Sequence, residues 1–204
     1  MPSISSVEQL RALYQQPTER AIKKELTFID RHCRSFIALS PYLVLCTADA
    51  QGNLDASPRG GTPGFCRVAD DHTLLLPDRP GNNRLDSFSN IIQTGRIGLL
   101  FFIPGVDDML RVNGAAELRT DEDLRALCVE NGKAPHVVVT VTVREAYLHC
   151  PKAIMRSGLW KPESKVPRSV LPTLGQMIND QSGGGATAIE PPEVVLARYR
   201  EQLY

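Results

Sequence analysis

The run Thr73-Leu74-Leu75-Leu76-Pro77-Asp78-Arg79-Pro80-Gly81-Asn82-Asn83-Arg84-Leu85 reads as a strand that empties into a tight polar turn and then starts a helical pattern. That order suits a phosphate. Backbone N–H groups at a helix start have no partner inside the helix, the helix dipole adds positive potential, and Gly81 lets the main chain come close. Arg79 or Arg84 can add a bidentate fork, with Pro77, Asp78, Asn82 and Asn83 shaping the turn between them. The same residues also fit a capped helix whose arginines are simply solvated.

Two further polar islands carry chemistry. Asp55-Ala56-Ser57-Pro58-Arg59-Gly60-Gly61-Thr62-Pro63-Gly64 surrounds one arginine with two prolines and three glycines. Gly60 and its neighbours permit close approach to a flat ligand, and Arg59 can meet a phosphate or a ring carbonyl; a β-bulge with a surface arginine is the other reading. His149-Cys150-Pro151-Lys152-Ala153-Ile154-Met155-Arg156-Ser157-Gly158-Leu159-Trp160 holds the only tryptophan. Lys152, Arg156 and Ser157 suit an anion and Trp160 a ring edge, or else Trp160 packs at an interface beside solvated bases.

No general acid and base pair stands out, so no catalytic residue is assigned. The four histidines, His32, His72, His136 and His149, are scattered, and Tyr42 and Tyr147 suit a core. His32-Cys33 and His149-Cys150 are adjacent pairs, but neighbouring side chains diverge on a strand or a helix, so no metal is expected. Cys150 precedes Pro151 and has no evident orienting base, which argues against a nucleophilic thiol.

The elements that must hold these islands are mostly strands. Residues 42–47 form a short apolar, β-branched run ending in Asp49-Ala50-Gln51-Gly52-Asn53, and residues 54–57 return as a hairpin. Further strands are predicted at 64–68, 73–76, 97–103, 109–118 and 136–148. Six or seven strands with closely spaced turns favour an antiparallel barrel. Helical periodicity appears at 6–34, interrupted at Pro17-Thr18 and read as two helices, and at 83–93, 121–130 and 193–203. Residues 179–192, with Gly183-Gly184-Gly185 and Pro191-Pro192, read as a mobile loop. No internal repeat is visible.

A chain of 204 residues with 42% hydrophobic content supports one barrel domain with appended helices. The expected division is a helical segment over residues 1–40, a core over 41–162, and a loop and helix over 163–204 acting as a lid or a dimer strap. Lys plus Arg and Asp plus Glu both total 23, so no charge excess exists to hold nucleic acid or an anionic membrane. No apolar run is long enough to span a bilayer, and no basic, then apolar leader opens the chain. Five cysteines without a C-x-x-C pair read as reduced, mostly buried thiols of a cytoplasmic protein.

Taken together, the islands resemble the pyridoxamine 5′-phosphate oxidase-like superfamily of FMN-binding split barrels, in a subgroup of probable FMN-dependent enzymes. The resemblance rests on Ser57-Pro58-Arg59-Gly60, on Pro77 to Arg84, on Pro104-Gly105, on Leu110-Arg111-Val112-Asn113-Gly114, and on the His149 to Trp160 cluster. It covers roughly residues 42–162. It implies a mainly β, antiparallel split barrel with flanking helices, a homodimer with FMN at the subunit interface, and flavin-dependent oxidoreduction of a small molecule.

By the same resemblance, Arg59, Arg79, Asn82, Asn83 and Arg84 would contact phosphate and ribityl, and Arg111 would lie beside the isoalloxazine or at the interface. Lys152, Ser157 and Trp160 would come from the second chain. The superfamily also includes haem and F420 binders, so a flavin, haem or F420 sensor or carrier without turnover is the alternative implied. A Trp-x-x-x-Arg-Leu-His pattern, associated with pyridoxal phosphate recognition in the true oxidases, is absent from this sequence, and vitamin B6 oxidation is not expected.

Overall fold

The computed structural model of the chain describes residues 3–184 and 190–203. Three short helices come first, α1 (Val7–Arg11), α2 (Glu19–Lys23) and α3 (Arg31–Leu39), where the periodicity predicts two. Each has its own cap, with Ser6, Thr18 and Asp30 side chains accepting from backbone N–H groups of the first turn, so the chain restarts a helix at each. Only α3 contributes to the core, through Cys33, Phe36 and Ile37. The stretch before it is pinned at Leu26, which exchanges two backbone hydrogen bonds with Ala146 at 2.8 and 2.9 Å.

Seven strands follow, interleaved with helices: β1 (Tyr42–Ala48), β2 (Leu54–Gly60), β3 (Arg67–Val68), β4 (Thr73–Pro77), α4 (Asp86–Thr94), β5 (Arg96–Phe102), β6 (Met109–Arg119), α5 (Glu122–Leu127) and β7 (Val138–His149). They form one antiparallel sheet in the order β2-β1-β5-β6-β7-β4-β3. The architecture is the expected mainly β split barrel with flanking helices.

Strand patterning explains the core. Leu43 and Leu45 of β1, Ile97, Leu99 and Phe101 of β5, Leu110 and Val112 of β6, and Leu74 and Leu76 of β4 alternate inward and meet Phe88 and Ile91 of α4. Each fully buried aliphatic side chain of this kind contributes about 1.5–3 kcal/mol of transfer free energy. Leu75 points the other way, where it packs with Cys128 and Val138 beside α5, so β4 is covered on both faces.

The β6–β7 ladder shifts register between Asn113 and Gly114, from Asn113↔Glu145 to Gly114↔Val143. A Cβ at Gly114 would stand 2.2 Å from the Thr142 carbonyl oxygen, so the close approach at this bulge admits only glycine.

Three expectations are corrected. The returning strand of the first hairpin does not stop at residue 57 but continues as β2 through Pro58, Arg59 and Gly60. Pro58 is tolerated because β2 is an edge strand, where a missing N–H faces no ladder partner. The strand expected over 64–68 is reduced to the two residues of β3. Helix α4 begins at Asp86, not directly after Gly81.

Beyond β7 come α6 (Lys152–Ser157), two short 3-10 turns, α7 (Leu174–Gln181) and α8 (Pro192–Gln202). Residues 179–181 of the predicted loop thus lie in α7, while 185–189 fall outside the described residues. Among the described residues no helix is long and apolar enough to cross a membrane.

Candidate functional site

In the sheet order β2 and β4 are separated by four strands, yet their ends line one cleft of about 1350 Å³. Only a sheet rolled on itself brings them together. One wall is β2 with its following loop, a second is the stretch after β4 with the first turn of α4, and a third is residues 130–136.

The second wall starts where the ladder ends. Asp78 N–H donates to Val137 O at 2.9 Å as the last rung, and Pro80 and Gly81 then turn the chain away. Asn83 (φ 58°) and Leu85 (φ 60°) are both left-handed. Asparagine adopts that conformation readily, whereas for a residue such as leucine it costs roughly 1–2 kcal/mol. Asn82 Oδ1 accepts from Arg84 N–H at 3.1 Å, and Arg84 Nε donates to Asp86 Oδ2 at 2.8 Å in a solvent-exposed pair.

The first wall joins the second through a buried hydroxyl. Ser87, 2% exposed in the first turn of α4, donates to Asp55 Oδ2 at 2.5 Å and accepts from Arg59 Nη2 at 3.2 Å. Asp55 also accepts from Ser57 Oγ at 3.0 Å, and Arg59 donates to Pro58 O at 2.8 Å. Arg59 is thereby held at the mouth of the cleft and the carboxylate of Asp55 beside the helix start, a favourable place for negative charge.

The third wall is built on a two-residue turn. Glu130 and Lys133 exchange backbone hydrogen bonds at 3.1 and 2.9 Å, with Asn131 (φ 49°) and Gly132 (φ 74°) both left-handed between them, the geometry of a type I′ turn. Glu130 Oε2 takes Arg79 Nη2 at 2.6 Å and Glu130 Oε1 takes the Thr62 hydroxyl at 2.7 Å. Burial pushes the Asp78 carboxyl up from its ordinary range, while the Arg79 N–H and the charges of Arg59, His136 and Arg79 pull the other way. Arginines, a lysine and carboxylates face one another here, so the cleft offers directed hydrogen-bond donors rather than a net charge.

Of the residues expected from the sequence, Arg59, Gly60, Pro77, Asp78, Arg79, Asn82, Asn83 and Arg84 all line this cleft. Arg111, Lys152, Ser157 and Trp160 do not. Arg111, on β6, ion-pairs with Glu145, which also accepts from Asn113 at 3.1 Å. Its guanidinium lies 4.2 Å from the centre of the Tyr147 ring, with Lys24 Nζ 4.6 Å from the same centre and the His149 ring 5.0 Å away. Burial lowers the His149 pKa, and the nearby Arg111 and Lys24 charges lower it further. Lys152 opens α6, Ser157 Oγ donates to Ile154 O at 2.9 Å, and Trp160 Nε1 donates to Val106 O at 2.9 Å.

Sequence reasoning passed over Asp55, Ser87, Thr62, Glu130 and Lys133. The dipeptide Asn131-Gly132 signals a turn, but a helical reading of 121–130 ran up to its edge and hid it.

The family model described as pyridoxamine 5′-phosphate oxidase matches residues 29–150. No curated protein sequence matches the chain. Among solved structures, a histidine-to-alanine variant of HupZ from Group A Streptococcus is 20% identical, covering 59% of this chain and 99% of its own, with a TM-score of 0.50. HutZ, the heme storage protein from Vibrio cholerae, is 14% identical over 59% of this chain and 93% of its own, with a TM-score of 0.43. An F420 reductase is 16% identical over 57% of this chain and 94% of its own, with a TM-score of 0.40.

Proposed function

This chain belongs to the pyridoxamine 5′-phosphate oxidase family, and on that premise we propose that it works as an FMN-dependent oxidoreductase on a small organic molecule. The observation that carries the reading is the convergence of Arg59, Arg84 and the left-handed stretch at Asn83 and Leu85 on a cleft with room for a phosphate and a flat tricyclic ring.

The residues fit the group. Arg84 holds only an exposed carboxylate, and such pairs are worth little, so an incoming dianion diverts it at small cost. Arg59 is fixed by Ser87 and Pro58 and keeps further donors for phosphate or ring oxygens. Asn82 and Asn83 offer amide groups suited to ribityl hydroxyls, and Phe65 and Phe88 line the cleft with apolar surface. When bound, the flavin supplies the two-electron chemistry. The chain's part is to orient the ring, keep positive charge beside it and limit water.

The four expected contacts outside the cleft, Arg111, Lys152, Ser157 and Trp160, suit a homodimer in which they serve the second copy's cofactor. The five free cysteines accord with a cytoplasmic location. A haem would need an axial ligand, which among the cleft residues His136 could supply, so the visible spectrum distinguishes the two groups.

The test is the visible spectrum of the purified protein, followed by anaerobic reduction with NADH, NADPH or dithionite and addition of candidate acceptors. A flavin spectrum that bleaches and returns with an acceptor supports the proposal. A haem or deazaflavin spectrum, or a flavin inert to every donor and acceptor, overturns it.

A further inference from the structure

We propose that Lys133 is a ligand-binding residue, meeting the ligand's phosphate from the 130–136 wall beside the β4 exit, while Arg79 serves as framework. This rests on the reading of the cleft as an FMN site and adds to it a residue from a segment that neither the sequence motifs nor the resemblance singled out.

Four cationic side chains other than histidine line the cleft, Arg59, Arg79, Arg84 and Lys133. Three have acceptors within the chain. Arg59 has Pro58 O and Ser87 Oγ, Arg79 has Glu130 and Arg84 has Asp86. The Lys133 ammonium has no acceptor among the described residues, although its own turn is well fixed.

The two ends of that turn divide the work. Glu130 points into the protein, where its two oxygens are taken by Arg79 and Thr62, and the Glu130 and Arg79 side chains are only 14% and 13% exposed. Arg79 is committed to a largely buried carboxylate, and withdrawing it would leave that charge without its counter-ion, which is strongly unfavourable. Lys133, at the other end, has no such tie. Its ammonium gains a full charge-assisted contact from an incoming dianion with no internal pair to break. The type I′ turn fixes where the side chain is rooted, so little backbone order is lost on binding.

The role of Lys133 is tested by titrating the full-length, cofactor-stripped chain with FMN and, separately, with riboflavin, which lacks the phosphate, following flavin fluorescence. Lys133→Ala is expected to weaken FMN binding about tenfold, the scale of one charge-assisted contact. It should leave riboflavin binding and the unfolding midpoint unchanged, and Lys133→Arg should restore most of the loss. Equal FMN affinity in Lys133→Ala and the unmodified chain, or equal losses for FMN and riboflavin, would overturn the role of Lys133 while leaving the flavin site standing. An unmodified chain that binds neither flavin would overturn the FMN reading and this inference with it.

Discussion

Glu130 Oε2 and Arg79 Nη2 lie 2.6 Å apart between two walls of the cleft, 51 residues apart in the chain and largely shielded from water. Because Glu130 Oε1 also takes the Thr62 hydroxyl, one carboxylate ties together the loop after β2, the turn after β4 and the segment before β7. The cleft's shape therefore depends on a buried charge pair as much as on the barrel.

Removing one partner leaves the other charged and buried. Glu130→Ala is expected to lower unfolding free energy by about 3–5 kcal/mol, as for other broken buried pairs. Urea denaturation of the cofactor-free protein measures it, and a loss below about 1 kcal/mol, the range of an exposed pair, would show that Arg79 is not held in this way.

Gly114→Ala places a methyl group against the Thr142 carbonyl, where 2.2 Å is available. The bulge must open, and a loss of about 2–4 kcal/mol is expected from overpacking and broken ladder hydrogen bonds. Gly175→Ala is the control for glycine replacement, since its φ, like that of Gly114, is not positive and no atom lies within 4 Å of a Cβ there. Equal thermal midpoints for the two variants would contradict the bulge geometry.

Thiol accessibility should divide the cysteines. Cys46 and Cys150 are exposed, whereas Cys33, Cys66 and Cys128 are buried. Burial, aided by Asp30, pushes the Cys33 thiol up to about 12, and burial raises Cys66 and Cys128 as well. With a thiolate-specific reagent near neutral pH, Cys150 and, more slowly, Cys46, whose thiol burial and Asp55 also push up, are expected to react in the native protein and the rest only on unfolding. Labelling of Cys33 in the folded state, read by peptide mass, would contradict the packing of α3.

His149 should make stability sensitive to acid. Its folded-state pKa is lowered, by burial first and then by Arg111 and Lys24, from an ordinary 6.5. Below about that value the unfolded chain binds a proton that the native site resists, so stability is retained above it and falls as pH drops toward the lowered pKa. His149→Gln is expected to flatten the pH dependence of the urea midpoint between about pH 8 and 5. Identical profiles in the two proteins would remove this role.

Much of the barrel is legible in the sequence because strands advertise themselves by alternation and by the turns that end them. Tyr42–Ala48 and Thr73–Pro77 stand where their apolar runs and following Gly/Asn or Pro/Gly residues put them. The continuation of β2 is not legible, since Pro58 and Gly60 are breakers everywhere except on a sheet edge. Likewise, nothing local foretells the left-handed Leu85, whose conformation comes from tertiary context.

Of the cleft lining, residues contiguous in sequence are legible beforehand and residues that meet only in space are not. Pro77 to Arg84 is one contiguous signal, but Asp55 meets Ser87 across 32 residues and only because the sheet rolls. Arg111 enters through the resemblance and Trp160 through its aromatic type as well, and the fold gives both partners away from the cleft on their own chain.

The most direct test of flavin binding in this cleft is an equilibrium titration of the cofactor-stripped protein with FMN, riboflavin and haem, with Arg84→Ala alongside. The predicted result is saturation at one FMN per chain, weaker riboflavin and haem binding, and about ten- to a hundredfold weaker FMN binding in Arg84→Ala, with riboflavin affinity unchanged. FMN binding that never saturates, haem binding tighter than FMN, or an Arg84→Ala variant that holds FMN as well as the unmodified chain would contradict it.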